Sequence, residues 1–169
     1  MSSLAPMAAA DRMTLIDLIH DAPLVIVMAV TGGGVASISD LLSVPGASRT
    51  VLEATVPYAT SALSDLIGYS PAQTAASDTA EAMATACLER AKRLADADIP
   101  VAGIACTAAL VTDRRRRGDN RAHIAVATRD GVSSSNITLE KGVNDRATED
   151  RIVSDAVLRV IATAAKVAE

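Results

Sequence analysis

The stretch Leu24-Val25-Ile26-Val27-Met28-Ala29-Val30-Thr31-Gly32-Gly33-Gly34 decides the fold of this chain. Its first seven residues are apolar and rich in β-branched side chains, which is typical of a strand buried on both faces of a parallel sheet. Three glycines follow almost directly, and an amphipathic stretch continues to Leu42. The order of strand, glycine turn and helix indicates an α/β protein.

Hydrophobic periodicity predicts the other elements on both sides of this unit. Helices are predicted over about 11–20, 60–67, 78–95 and from 145 to the C-terminus, and strands over about 50–56, 100–106, 121–128 and 132–140. Gly68 is expected to end a helix, and Asp78 with Glu81 to cap the next one. Asp130-Gly131 predicts a hairpin between the last two strands. The predicted fold class is α/β, a three-layer α/β/α sandwich with a mixed five-stranded sheet.

Length and composition indicate one domain. The chain has 169 residues, of which 50% are hydrophobic and 34 are alanine, while Tyr58 and Tyr69 are the only aromatic residues. We expect a flexible N-terminal tail over residues 1–10 and a single domain over residues 11–169. So few rings argue against a nucleic-acid platform that stacks bases on aromatic side chains.

Charge and hydropathy exclude several kinds of partner. The formal net charge is −4, so nothing draws the whole molecule to nucleic acid or to an anionic membrane. The longest apolar run, Pro23–Val30, is far shorter than the ~20 residues that span a bilayer, and no signal peptide is evident. Two cysteines and two histidines show no metal-ligand spacing. We therefore expect a cytoplasmic protein with no cofactor and no metal, and an alanine-rich domain that forms a homo-oligomer.

The glycine turn after the first strand is a candidate anion site. Ligands of open α/β sheets bind beyond the carboxyl ends of the strands, and glycines allow backbone N–H groups to approach a phosphate there. The Thr31 hydroxyl could add a donor. The turn is neither G-x-G-x-x-G nor a P-loop, and a tight structural turn would use the same glycines.

Two further features could carry chemistry. The run Arg114-Arg115-Arg116-Arg117 is either a solvated surface or a clamp on a phosphorylated ligand or acidic partner. Cys106 closes the third strand and is a candidate nucleophile, provided that a base or a helix dipole forms its thiolate. His123 is near it in sequence. Cys87 is expected to be a small buried core residue.

Several landmarks occur in a characteristic order along residues 11–167. They are Thr31-Gly32-Gly33, Val44-Pro45-Gly46-Ala47-Ser48, Tyr58, Asp65-Leu66-Ile67-Gly68 and Gly103-Ile104-Ala105. In this order the chain resembles the C-terminal domain of the CinA (competence/damage-inducible protein) family, which includes stand-alone nicotinamide-nucleotide amidases. The resemblance implies a three-layer α/β/α domain with a mixed five-stranded sheet.

A second likeness rests on Val30–Gly34, Val44–Ser48, Leu52-Glu53-Ala54, Val56-Pro57-Tyr58 and the region from Arg117 to Arg121. Through these stretches the chain resembles the N-terminal half of eukaryotic two-part proteins. The second half of those proteins resembles a cytidylyltransferase or a nicotinamide-nucleotide adenylyltransferase, which implies a place in nucleotide metabolism.

The resemblance also implies roles for individual positions. The amidases hydrolyse nicotinamide mononucleotide to nicotinate mononucleotide and ammonia with a serine nucleophile and a lysine base. Here the matching positions hold Ala29 and Leu63, whose side chains can neither attack a carbonyl nor transfer a proton. The binding half is retained: Thr31-Gly32-Gly33 match the phosphate turn, Tyr58 an active-site tyrosine, and Arg151 an arginine that lines the site.

Three hypotheses follow from the sequence. The first is a CinA-like domain that binds a nucleotide or phosphate ligand without Ser–Lys hydrolysis, in a regulatory role or as a complement to a separate enzyme. The second is an amidohydrolase acting on nicotinamide mononucleotide, with Thr31 or Cys106 as nucleophile and Tyr58 assisting. The third is a structural or oligomerisation module with a vestigial site.

Overall fold

Within residues 4–168, which the computed structural model describes, helices and strands follow the order that the sequence predicts. The helices are α1 (Ala9–Asp21), α2 (Ala36–Ser43), α3 (Thr60–Ile67), α4 (Ser77–Leu94) and α5 (Arg146–Ala164), and the strands are β1 (Val25–Thr31), β2 (Val51–Thr55), β3 (Val101–Ala109), β4 (Asn120–Thr128) and β5 (Gly131–Leu139). None of the helices in this part of the chain is long and apolar enough to cross a membrane.

The strands form one mixed sheet in the order β2-β1-β3-β4-β5. Strands β2, β1 and β3 are parallel, whereas β4 and β5 run antiparallel to their neighbours. The parallel strands bring their carboxyl ends to one edge of the sheet, and the apolar run of β1 lies near the centre, where both faces are covered. The predicted α/β class with its mixed five-stranded sheet is confirmed.

The sheet separates two apolar cores. Ile26, Met28 and Val30 of β1 pack with residues of α1, α2 and α5 on one face. Val27 and Ala29 pack with residues of α3 and α4 on the other. The period of two in a strand therefore assigns successive β1 residues to different helical layers, which gives the α/β/α sandwich.

The end of α3 lies where the sequence predicts it, whereas the start of α4 differs from the prediction. Gly68 ends α3 with φ +83°, as predicted. The predicted capping pair of Asp78 and Glu81 is wrong, because α4 begins at Ser77 and Asp78 lies inside its first turn. The Asp78 carboxylate accepts from the Thr79 N–H at 2.9 Å, and the Glu81 carboxylate accepts from the Ser134 hydroxyl at 2.7 Å.

The segment before α1 is fastened to α5 by an ionic network. The Asp155 carboxylate is fully buried and accepts from the Met7 N–H at 2.6 Å and from Arg12 Nε at 2.7 Å. Arg12 also donates to the Met7 carbonyl at 2.6 Å. The predicted tail over residues 1–10 thus contains Met7, which Asp155 holds, and Ala9 and Ala10, the first two residues of α1. Residues 1–3 and Glu169 lie outside the described residues.

Candidate functional site

The candidate site lies at the edge where the three parallel strands end. Strand β1 ends at Thr31 and continues into the glycine turn, β2 leads through Val56 and Pro57 to Tyr58, and β3 ends at Ala109. Thr31 is the last residue of β1, so its side chain shares the face of Ala29. It is nearly buried at 7% exposure, whereas Tyr58 is 66% exposed.

Close packing explains the first glycine of the turn. Gly32 has φ +76°, and a Cβ atom at this position would lie 1.9 Å from the Ala108 carbonyl oxygen on β3. Any larger residue would therefore separate β1 from its neighbour at the end of the strands. Close packing against β3 is therefore enough to require glycine at position 32, whether or not the turn binds a ligand.

The amino end of α2 is already occupied by a carboxylate of this chain. Asp150 on α5 accepts from the N–H groups of Gly34 at 2.8 Å, Val35 at 3.2 Å and Ala36 at 3.2 Å. These are the donors that a helix start offers to an anion. Asp150 occupies the N–H groups of Gly34, Val35 and Ala36. A phosphate at this turn would therefore have to bind to the Thr31 hydroxyl and to the N–H groups of Gly32 and Gly33.

Removing the Asp150 carboxylate is expected to destabilise the fold. Asp150→Ala leaves three N–H groups of the turn and α2 without their acceptor, and we expect a loss of about 2 kcal/mol in the free energy of unfolding. Urea denaturation followed by circular dichroism measures this change. Asp119→Ala removes an exposed loop carboxylate and serves as the control; an equal loss in both variants would contradict the capping role.

Arg146 is the residue that sequence reasoning missed. It is the first residue of α5, and its guanidinium donates to the carbonyls of Val111 at 2.9 Å and Gly32 at 3.1 Å. It also lies 3.5 Å from the Tyr58 hydroxyl. Arg146 therefore joins the ends of β1 and β3 to the segment after β2. The only signal in the sequence is Asp145, which caps α5 by accepting from the Thr148 N–H and so places the next residue in the first turn.

Arg151 lies on a different side of α5. Its guanidinium pairs with Asp40 on α2 and with Asp155 one turn along α5, at 2.9 Å from the Asp155 carboxylate. Residues 146 and 151 are five positions apart, which turns them by roughly 140° around a helix of 3.6 residues per turn. Arg151 thus ties α2 to α5, and the structure does not bring it to Thr31, Gly32 and Tyr58.

Cys106 also lies away from Thr31, Gly32 and Tyr58 at the edge of the sheet. It is fully buried in the core beneath α5, where burial and the nearby charge of Asp150 raise the pKa of its thiol. Its neighbour Thr107, not Cys106, is in register with both Thr31 and His123. Because adjacent strand residues face opposite sides, His123 and Cys106 are separated by the sheet and form no thiol–imidazole pair.

A row of polar residues crosses the sheet on the α4 face. Thr31, Thr107, His123 and Asn136 are successive register partners on β1, β3, β4 and β5. The Ser77 hydroxyl at the start of α4 donates to Asn136 Oδ1 at 2.8 Å and lies 3.3 Å from His123 Nδ1. Two strand spacings put the β1 and β4 backbones about 10 Å apart, so this histidine is too far from Thr31 to serve as its base.

Ala29 and Leu63 lie in one apolar cluster between the sheet and helices α3 and α4. Ala29 is fully buried and Leu63 is 2% exposed. The same cluster contains Cys87, whose pKa is raised to about 12 by burial and by the charge of Glu53. Cys87 is therefore the buried core residue that the sequence predicts. Within residues 4–168, no group of three or more histidine, cysteine, aspartate or glutamate side chains is placed to hold a metal ion.

Together these features define a three-layer α/β/α domain with its candidate site at the carboxyl edge of three parallel strands. The model of the CinA C-terminal domain family matches residues 12–164. The chain therefore belongs to the CinA C-terminal domain family, as its motifs suggest. A comparison with curated protein sequences finds no significant match.

Solved structures of the same superfamily share this fold. A CinA superfamily protein from Enterobacter cloacae is 15% identical, with a TM-score of 0.70 and 98% of each chain covered. The competence/damage inducible protein CihA from Agrobacterium tumefaciens is 19% identical, with a TM-score of 0.66 and coverage of 95% of this chain and 98% of that one. A superfamily protein from Escherichia coli is 17% identical, with a TM-score of 0.65 and coverage of 97% and 94%. At these identities the likeness concerns the fold.

Proposed function

We propose that this chain is a CinA-like domain that binds a nucleotide or related phosphate ligand and does not carry out the Ser–Lys hydrolysis of the amidases it resembles. The observation that carries the proposal is the burial of Ala29 and Leu63 in apolar packing, since the resemblance to the amidases matches these two residues to the nucleophile and the base. Its role would be regulatory, or complementary to a separate enzyme of nucleotide metabolism.

The packing around these two residues supports the loss of hydrolysis. A methyl group and an isobutyl group have no atom that can attack an amide carbonyl or accept a proton. Neither side chain has appreciable solvent exposure, and both belong to the apolar cluster between the sheet and helices α3 and α4. Removing a nucleophile and its base together costs many orders of magnitude in rate.

The rim around Arg146 supports retained binding. Arg146 bonds two backbone carbonyls and still presents a cation beside the Tyr58 hydroxyl. A guanidinium suits a phosphate oxygen, and the exposed Tyr58 ring offers a face on which a base or pyridine ring can stack. Together with Thr31 and the Gly32 and Gly33 N–H groups, this arrangement can hold a mononucleotide.

Two alternatives have less support from the geometry. A nucleophilic Cys106 would have to form a thiolate in a core with no solvent access, against a raised pKa. Among the hydrogen bonds of the described residues, none joins the Thr31 hydroxyl to a general base. A purely structural module would neither bind nor turn over a nucleotide, which a combined binding and turnover experiment detects.

The experiment combines binding and turnover. Concentrated protein is titrated with nicotinamide mononucleotide by calorimetry, and a parallel incubation is followed by mass spectrometry for ammonia and nicotinate mononucleotide. We expect binding without turnover. Arg146→Ala is expected to weaken binding at least tenfold, because one charge-assisted hydrogen bond is worth roughly 1.5–3 kcal/mol and each ~1.4 kcal/mol is a factor of ten. Arg159→Ala removes an exposed arginine of the same helix, about 20 Å further along its axis, and should bind as the wild type does.

Each other outcome points to a different function. Turnover by the native chain that Thr31→Val or Cys106→Ala abolishes would overturn the proposal and identify a new nucleophile. Absence of both binding and turnover would favour the structural module. Equal loss of binding in the Arg146 and Arg159 variants would show that only overall charge attracts the ligand.

A further inference from the structure

The arginine run forms one wall of an open cavity beside the candidate site. The cavity has a volume of about 550 Å³ and is lined by residues 111–116 with Asn120, Lys141 and Gly142. This size lies within the roughly 300–1,000 Å³ typical of small-molecule sites. The ten-residue loop between β3 and β4 therefore borders a space large enough for a nucleotide.

The loop is held in place by a network of hydrogen bonds. The Arg116 guanidinium donates to the carbonyls of Ala109 at 3.1 Å and Leu110 at 2.9 Å and to Asn120 Oδ1 at 2.7 Å. The Lys141 ammonium donates to the Arg116 carbonyl at 2.6 Å, which ties the loop to the segment after β5. Arg116 and Lys141 thus shape the cavity as well as adding charge to it.

Buried polar groups anchor the two ends of the loop that lines the cavity. Asn120 is 4% exposed, and its amide donates to Glu149 Oε1 at 2.9 Å. The other oxygen of the fully buried Glu149 accepts from the Val111 N–H at 2.7 Å. These bonds fix both ends of the loop to α5, so the cavity wall is organised before any ligand arrives.

The charge of the cavity is strongly positive. Arg114, Arg115, Arg116 and Lys141 line it, together with one acidic residue, Asp113. Within residues 4–168, neither Arg114 nor Arg115 has a carboxylate within ion-pair distance, and both are exposed. A cluster of cations in a concave surface of a chain with net charge −4 creates a local field that attracts anions.

The cavity adjoins the candidate site through Val111. Val111 lines the cavity, and its carbonyl accepts from Arg146, which also reaches Gly32 and Tyr58. We propose that this cavity binds the terminal phosphate or phosphates of a nucleotide that carries two or more, while Arg146 contacts the phosphate nearest the ribose and Tyr58 contacts the base. This inference rests on the proposed function and specifies how many phosphates its ligand carries.

The number and kind of cations support this ligand. Two guanidinium groups without ion pairs suit phosphate oxygens, and a single phosphate at the glycine turn would leave them unused. A concave cavity with one neighbouring aromatic ring favours a small molecule over single-stranded nucleic acid, which needs a groove with several stacking rings.

The test compares AMP, ADP and inorganic pyrophosphate by calorimetry at fixed ionic strength. We expect ADP to bind the wild type at least tenfold more tightly than AMP. In the double variant Arg114→Ala/Arg115→Ala, ADP affinity should fall at least tenfold while AMP affinity stays unchanged. The matched control is Arg129→Ala/Arg159→Ala, which removes two exposed arginines elsewhere and changes net charge equally, and it should retain both affinities. Thermal unfolding of each variant checks that the fold is intact.

The outcomes separate this inference from the proposed function. If AMP binds through Arg146 but ADP binds no more tightly, the cavity inference fails alone. If pyrophosphate binds and is lost in the Arg114/Arg115 variant while AMP does not bind, the cavity is an anion site and the nucleotide site fails. Equal losses in the control variant, or tighter binding of an RNA oligonucleotide than of ADP, would overturn the cavity assignment. If none of the three probes binds, the cavity inference is wrong, and the titration with nicotinamide mononucleotide alone decides the proposed function.

Discussion

Gly103→Ala is expected to lower the free energy of unfolding by about 4 kcal/mol, a large share of the ~5–15 kcal/mol that stabilises a typical domain. Helix α4 lies directly on β3 at this position. An added Cβ atom would lie 2.0 Å from the Ala84 carbonyl oxygen and 2.3 Å from the Leu88 backbone nitrogen. Backbone atoms cannot rotate away as a flexible side chain can, so the whole helix would have to move. Urea denaturation followed by circular dichroism measures the loss.

The control for this prediction is Gly118→Ala. At Gly118 an added Cβ atom would meet only the end of the flexible Arg121 side chain, at 3.2 Å. We expect its unfolding midpoint to match that of the wild type. If Gly103→Ala also unfolds within about 1 kcal/mol of the wild type, then α4 does not pack against β3 as closely as the structure shows.

Much of this architecture is predictable because local sequence and tertiary packing agree. The apolar run of β1 is short, rich in β-branched residues and followed by glycines, a combination that favours a strand buried on both faces over a helix. The residues predicted for α3, Thr60–Ile67, are those observed, because Gly68 adopts the positive φ that ends a helix there. Both signals depend on a few neighbouring residues, which sequence patterns describe well.

The site was less predictable because it depends on contacts between distant residues. Asp150 caps a turn 114 to 116 positions earlier in the chain, and no periodicity connects these segments. Sequence pattern shows where α5 starts, but the packing of α5 decides that Arg146 faces the strand ends and that Arg151 faces α2. Thr107 and Cys106 are neighbours on β3, but their side chains lie on opposite faces of the sheet. The sequence alone does not show which of the two shares a face with Thr31.

Asp155→Asn is expected to destabilise the fold by about 3 kcal/mol, because it removes the buried negative charge that two arginines share and leaves one acceptor oxygen where the carboxylate has two. Asp155 joins Met7 and Arg12 near the N-terminus to Arg151 on α5, at distances of 2.6 to 3.1 Å. Without the negative charge at position 155, Arg12 keeps the Met7 carbonyl and at most a neutral amide oxygen as partners among these contacts. We expect urea denaturation at neutral pH to show the loss.

The same variant tests how this network depends on pH. Burial alone would raise the pKa of Asp155, but the hydrogen bonds from Arg12 and the Met7 N–H, with the charges of Arg151 and Arg12, outweigh burial and hold the pKa below its ordinary value. A lowered pKa stabilises the folded state above the ordinary carboxyl value of about 4, and this stabilisation is lost as the pH falls through the lower folded-state value. The difference between wild type and Asp155→Asn should therefore be constant near neutral pH and shrink below about pH 4.

Asp130→Asn is the matched control for this pH series. Asp130 faces Arg129 at 3.9 Å with both side chains almost fully exposed, so solvent screens the pair and its removal should leave the unfolding midpoint unchanged. A difference between wild type and Asp155→Asn that persists undiminished at pH 2 would mean that the lost contacts depend on side-chain shape and not on charge. A variant as stable as the wild type at pH 7 would mean that Arg12 and Arg151 find other partners, and that the N-terminal segment is held by the apolar packing of α1 alone.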